Sequence, residues 1–410
     1  MRKIKPWLEK WWFVLILLAF MPVYISIAVN NERTVDYTNN GFFTFWLAGH
    51  MQWTGEQPYS STDWVNGAHE FGATWIPNQI FPYPLPLALI IAPIGLLPIA
   101  KAYILWDTLA QLLIGCCILW LSTHWEGLDR QLFAAFVLLA AVLNGNIFLG
   151  LMTGTFAVLF LVFLSLGLYF LETRRPLLGG ILLAGLALKP PLLVITALIG
   201  LWLLYQKNWK AMLGIATGGL GLLFIGLFQD PAWPIKFISV SSSLLDKRLG
   251  NQPTLPSYTR LLCSGDQFCT FFSYILIVLL LVATCAWLLW IKRRKLSHLE
   301  AFSAAIGLGV LLPPYLWSYD YALLIIPICA ISFELIRRRK TYLYSTLFLL
   351  LIDIISIFGL MMFWRNPETP ALTIQRDMWS IWEAVLVLAA SWWVIFVKPD
   401  ETQSIGTDSL

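Results

Sequence analysis

Charge is what this sequence has least of. Only 12% of its 410 residues are Asp, Glu, Lys or Arg, against 59% that are hydrophobic. A soluble domain of this length carries roughly twice that charged fraction, which excludes an ordinary water-soluble fold. Histidine is scarce too. His50, His69, His124 and His298 are scattered, with no Cys/His or His-x3-His spacing to hold a zinc ion, so neither a metal nor a cofactor is expected. Low-complexity segments and internal repeats are missing. The net charge of +4 says little about partners, and nothing in it points to nucleic acid.

Long apolar runs are plentiful. Residues 11–29, 271–291 and 342–363 are each long enough to cross a hydrocarbon core about 30 Å thick. With no water in that core the backbone must satisfy its own polar groups, and helices do so within one segment. The runs lack the period-two alternation of a membrane barrel strand. The expected fold is therefore an all-α membrane bundle of about twelve spans, at 11–29, 99–121, 131–143, 148–171, 178–188, 192–205, 212–228, 271–291, 299–312, 315–336, 342–363 and 380–397. Trp7, Trp11, Trp12, Trp125, Trp209, Trp379 and Trp382 sit at run ends, where an aromatic belt meets the headgroups.

Positive charge sets the expected orientation. With the N-terminus in the cytoplasm, the inner connections hold Arg2, Lys3, Lys5, Lys10, Arg130, Arg174, Arg175, Lys207, Lys210, residues 292–295, residues 337–340 and Lys398. That is 18 of the 27 basic residues, although the outer loops are longer. The bias follows the positive-inside rule. Counting the apolar stretch 85–98 as a span would reverse every later loop. At 14 residues with Pro84, Pro86, Pro93 and Pro98, it reads as re-entrant or interfacial. Ser26-Ile27-Ala28 matches a leader-cleavage pattern, but the preceding run is long and aromatic and reads as an anchor. Residues 1–398 form one polytopic domain in a plasma membrane, and 399–410 a disordered cytoplasmic tail.

Polar residues gather in outer loops at 30–84, 229–270 and 364–379. The first contains the aromatic segment 41–53, suited to a helix lying along the membrane surface. The second contains an amphipathic 233–249, then Cys263 and Cys269 in CSGDQFC, which either close a small disulfide ring or remain free thiols. Cys116, Cys117, Cys285 and Cys329 fall in spans and read as packing residues. Ionised groups near a bilayer centre cost at least ~2.5–3.5 kcal/mol, so each needs a reason. Asp36 follows the first span closely and is either a solvated loop acid or a general base, with an unperturbed pKa of about 3.9. Lys189, in LKPP at the tip of a helical hairpin, either snorkels or neutralises a lipid phosphate. Trp317, Tyr319 and Asp320 form an aromatic and acidic cluster that is either belt or site. Asp353 lies inside a span, where a helix–helix hydrogen bond is its expected use.

Several motifs occur in a telling order. Asp36-Tyr37 precedes GEQPY at 55–59 and FPYPLPL at 81–87. Asn144-Gly145-Asn146, LALKP at 186–190, Gly250-Asn251-Gln252 and PYLW at 314–317 follow. In this order, over roughly residues 10–330, the chain resembles glycosyltransferase family 87. These are polytopic GT-C enzymes related to bacterial polyprenol-phosphate-mannose-dependent mannosyltransferases. The resemblance implies a GT-C bundle that moves a hexose, with mannose first, from a polyprenyl-phosphate donor to a lipid or glycan acceptor at the outer face. It implies that Asp36 is the base. Tyr37, Tyr59, Tyr83, Asn146, Lys189, Asn251, Gln252, Arg260, Trp317, Tyr319 and Asp320 are the expected donor- and acceptor-binding set. One departure stands out: where the family often has histidines after the Trp, this chain reads Ser318-Tyr319-Asp320-Tyr321, and Asp320 repels a phosphate unless protonated or paired. A transporter or lipid-sugar flippase, or a silent lipid-binding relative, are the competing readings.

Overall fold

Proline and glycine decide where the apolar runs stop, and the helices between them satisfy their own backbones. In the computed structural model every regular element among the described residues is helical. The structure describes residues 21–34, 38, 40–74, 76, 80–124, 130–248, 252–262, 268, 271–272, 275, 278–279, 282, 296–339, 342–364 and 378–396. Most of the expected span 271–291, most of the 364–379 connection and the 399–410 tail fall outside them.

The first helices are α1 (Met21–Thr34), α2 (Gly41–Thr54), α3 (Ser61–Glu70), α4 (Leu85–Gly95), α5 (Ile99–Ser122) and α6 (Arg130–Leu143). Next come α7 (Gly145–Met152), α8 (Ala157–Glu172), α9 (Pro176–Ala184), α10 (Leu193–Tyr205), α11 (Trp209–Gln229), α12 (Trp233–Arg248) and α13 (Leu255–Leu262). The remainder are α14 (His298–Gly309), α15 (Ile325–Arg339), α16 (Leu343–Trp364) and α17 (Ile381–Phe396). Tight 3-10 turns cover Gly185–Leu188, Pro190–Leu192 and Ser318–Leu324.

Among the described residues, four stretches are long and apolar enough to cross a membrane: Ile99–Ser122, Trp209–Gln229, Ser318–Arg337 and Leu343–Met362. A fifth exists only if α7 and α8 are joined, and they meet at 118°. The unbroken span expected over 148–171 is therefore corrected to a bent pair. The cause is local. Gly154 takes φ +60, a left-handed conformation that ends the helix, and Thr153 turns its hydroxyl back to the Leu149 carbonyl at 2.7 Å. Leu85–Gly95, Pro176–Leu188, Pro190–Tyr205 and Ile381–Val394 are apolar but shorter, at 10–17 residues.

The bend gives a first prediction. A Cβ on Gly154 would sit 2.6 Å from Phe42 Cβ and 3.0 Å from Tyr103 Cε2. Gly154→Ala adds that overlap to the roughly 1–2 kcal/mol cost of a left-handed L-residue, and thermal unfolding in detergent should fall clearly. Gly200 is the control: it is helical, and a Cβ placed there would have nothing within 4 Å. Gly200→Ala should leave the transition unchanged or raise it.

The polar stretch 30–84 is more ordered than a loop. The segment expected to lie on the membrane surface is α2, and it is mostly buried: Phe42, Phe43, Phe45, Trp46, Leu47 and Met51 are all covered. It packs on α4 so closely that a Cβ on Gly95 would meet the backbone of Gly49 and His50. The last carbonyls of a helix lack partners within it, and α2 supplies them. Trp53 Nε1 donates to Ala92 O at 2.7 Å and His50 Nδ1 meets Gly95 O at 2.9 Å, while just past the helix Trp46 Nε1 reaches Leu97 O at 3.0 Å. The amphipathic stretch in the second loop is α12, as its pattern suggested.

Small residues join α9 to α11. A Cβ on Gly180 would collide with the Ala211 carbonyl and one on Gly214 with Leu177 O, so α9 and α11 touch backbone to backbone. At the far end, α5 and α8 are tied by His124 Nε2 and the Glu172 carboxylate at 2.7 Å. Burial opposes the charged imidazole, but the Glu172 hydrogen bond and charge outweigh it and raise the pKa above its ordinary 6.5. A group whose folded pKa is raised stabilises below its unfolded pKa and loses that contribution as pH rises through the folded value. Thermal stability should therefore decline as pH rises from about 6.5 through the raised value. Glu172→Gln should flatten that part of the profile.

Candidate functional site

The α7–α8 bend, residues 153–156, is where separate stretches of sequence meet. Phe42 N donates to Thr153 O at 2.9 Å and brings the start of α2 onto the bend. From α5, Tyr103 Oη donates to Met152 O at 2.6 Å and Trp106 Nε1 to Thr155 O at 3.3 Å. Trp106 stacks on Phe156 with centroids 3.9 Å apart, Phe156 meets Phe45 at 4.6 Å, and Phe45 meets Tyr83 at 4.9 Å. Tyr83 in turn accepts at its carbonyl from Tyr59 Oη, 2.6 Å away. Burial above all, and then the nearby Asp230 charge, raise the Tyr59 pKa, so its phenol stays a donor. Asp230 follows α11 directly, so the chain after that helix brings its charge near Tyr59. Two expected residues, Tyr59 and Tyr83, thus reach the bend through an aromatic chain.

On the other side of the bend lies the 3-10 turn Ser318–Leu324. A Cβ on Gly150 would rest 3.4 Å from Tyr319 Cβ. The turn delivers Asp320 to Lys189, whose ammonium lies 2.5 Å from both carboxylate oxygens. The two side chains are 5% and 1% exposed. Asp320 also accepts from the Trp317 backbone N–H at 3.2 Å. Tyr319 stacks near-parallel to Trp317, 6.1 Å between centroids, and lies under Lys189 Nζ at 5.1 Å. Lys189, which the sequence leaves as snorkelling or neutralising a lipid phosphate, is buried and paired, and the acid expected to repel a phosphate unless paired has a counter-charge. An ammonium has three N–H groups, so the pair is not by itself saturated.

Residues 253–257 close over this turn. Tyr321 Oη donates to Pro253 O at 2.5 Å, Ser257 Oγ to Pro314 O at 3.2 Å, and Leu255 N to Leu311 O at 2.8 Å. Beside these, Gln252 is fully buried, and neither its Oε1 nor its Nε2 has a hydrogen-bond partner among the described residues. A buried amide without partners costs roughly 1–3 kcal/mol. Arg260 is exposed on the last turn of α13. Asp36, Tyr37, Asn251, Cys263 and Cys269 lie outside the described residues.

Asn146 is held differently from the rest. Its Nδ2 donates to Glu383 Oε2, its Oδ1 accepts from Ser380 Oγ at 3.0 Å, and Asn144 Nδ2 donates to Glu383 Oε1 at 2.9 Å. Asn144 also caps α7, accepting from the Asn146 and Ile147 N–H groups at 3.1 and 3.0 Å. Ser356 Oγ accepts from Gly145 N at 2.9 Å and donates to the Asp353 carbonyl. This buried network roots α7, and α7 carries the bend. Glu383 and Asp107 were missed in the sequence. Both are lone acids in apolar runs, IWEAVLVL and YILWDTLA, and the rule that singled out Asp353 applies to them as well. Among the described residues no group of three or more His, Cys, Asp or Glu could hold a metal ion.

With this geometry in place, a family model matches: glycosyltransferase family 87, over residues 81–314, more than half of the 410. No curated protein and no solved structure matches the chain significantly.

Proposed function

The chain belongs to glycosyltransferase family 87, and from that premise we propose that it moves a hexose, mannose first, from a polyprenyl-phosphate sugar to a lipid or glycan acceptor. The site lies at the outer face of a GT-C bundle of about twelve spans, with both termini cytoplasmic. One observation carries the reading: a buried Lys189–Asp320 pair lies at the turn beside the bend on which Phe42 also lands, and the segment closing over that turn holds a fully buried Gln252 amide with no partner among the described residues.

In the transfer step the acceptor hydroxyl oxygen attacks the anomeric carbon, and Asp36 takes the hydroxyl proton. The bond from that carbon to the phosphate oxygen breaks, and its electron pair leaves on polyprenyl phosphate. The departing charge needs donors fixed in advance in a water-poor site; the Lys189 ammonium and the Gln252 amide are the candidates. The apolar surroundings suit a donor whose sugar arrives on a membrane lipid.

The test is purified protein in liposomes, given a panel of radiolabelled polyprenyl-phosphate sugars and a membrane lipid extract. A glycolipid product from one of them is expected. Transfer from a nucleotide sugar only, or lipid movement without any glycoside, overturns the reading. Labelling from each side of sealed vesicles should place residues 30–84 outside.

A further inference from the structure

Helix α5 carries three polar side chains on one face, at positions 103, 106 and 107, spaced as neighbours on a helix surface are. Tyr103 and Trp106 hold the bend through the Met152 and Thr155 carbonyls. Asp107 points to a different partner: Asn31 Nδ2 donates to its Oδ2 at 3.0 Å. Asp107 is 1% exposed and Asn31 8%. The other oxygen, Oδ1, has no hydrogen-bond partner within ordinary geometry among the described residues, and Gln111 stands one turn on along the helix. Among the described residues no cation pairs with it.

A buried carboxylate costs several kcal/mol, and a leucine here would pack α5 more cheaply. What the acid adds is a fixed point for α1. Asn31 stands in the last turn of α1, which ends at Thr34. Asp36 follows two residues later. A chain advances at most ~3.3–3.6 Å per residue, so two residues of chain span no more than about 7 Å. Whatever fixes the end of α1 therefore limits where Asp36 can be.

We propose that Asp107 is a positioning residue: through Asn31 it locks the end of the first helix to the same face of α5 that grips the bend. Loop base and sugar-phosphate site are then held in one frame. The inference rests on the reading of Asp36 as base, and it extends that reading to a residue that touches no substrate. A misplacement of 1 Å at a reacting centre can cost about 10²-fold in rate.

The test compares Asp107→Asn with Asp107→Leu. Asparagine keeps an oxygen to accept from Asn31; leucine does not. Asp107→Asn should stay within about threefold of the wild-type kcat. Asp107→Leu should lose roughly 10–10²-fold in kcat with the donor KM little changed, the signature of misalignment rather than lost binding. Hydrogen exchange gives a readout independent of activity: residues 32–40 should exchange faster in Asp107→Leu and at the wild-type rate in Asp107→Asn. If Asp107→Leu does not fold, Asn31→Ala removes the donor without adding bulk and should give the same two changes. Equal loss in the asparagine and leucine variants means the carboxylate itself is required and overturns the proposal, as does unchanged exchange in the leucine variant. A wild-type protein inactive on every lipid donor sinks the proposed function instead, and the exchange comparison still decides the anchor.

Discussion

Lys189→Met alone should lower folding stability by about 3–5 kcal/mol, because it strands a buried carboxylate without its counter-charge. The Lys189 and Asp320 side chains are 5% and 1% exposed and in contact at 2.5 Å, so water cannot take over for the missing partner. Adding Asp320→Asn to Lys189→Met should restore much of the loss. The asparagine carries no charge and still accepts from the Trp317 N–H that Asp320 now holds at 3.2 Å. Urea titration in detergent micelles measures both variants. A single variant as stable as the parent means the pair does not form. The double variant also separates roles: stability regained without transfer regained assigns the pair to donor binding, whereas both regained together makes it a structural clamp between α9–α10 and the Ser318–Leu324 turn.

That pair marks where the sequence stops being readable. Lys189 and Asp320 were each conspicuous as ionised groups in apolar surroundings, yet they lie 131 residues apart and nothing in one dimension aligns their spans. Helical periodicity gives a face, not a partner. The amphipathic α12 and the aromatic α2 were legible because their patterns are local. The α7–α8 bend was hidden for the opposite reason: the run 148–171 is apolar almost throughout, and its one break, Thr153-Gly154-Thr155, is too short to disturb an average over about twenty residues. The packing of α2 against other helices was hidden because apolar aromatics read alike whether they face lipid or another helix. Tight Gly–Gly and Gly–backbone contacts, at Gly49, Gly95, Gly180 and Gly214, show the difference only once both helices are present.

Asp36→Asn should cut kcat by ~10²–10⁴-fold, the usual worth of a placed general base, while leaving the donor KM within about threefold. The case for Asp36 rests partly on how the other acids are used. A base must come within about 2.6–3.2 Å of the hydroxyl it deprotonates. Asp320, Glu383 and Asp107 are at most 1% exposed and already bound to Lys189, to Asn144 and Asn146, and to Asn31. Between α1 and α4, Asp63 accepts from Gln57 N at 3.1 Å and Glu56 from Thr54 Oγ1 at 2.9 Å, both at the far end of α2 from the bend. Glu32, in the last turn of α1, and Asp36 stand ten and six residues before Phe42, which meets Thr153, so Asp36 is the acid nearest that contact along the chain. Initial rates in lipid nanodiscs, with amide and alanine variants at 36 and 32, decide between them. Full turnover in Asp36→Asn alongside loss in Glu32→Gln would move the base one helical turn back. The frame built by α5 and the bend would stand, with a different carboxylate in it.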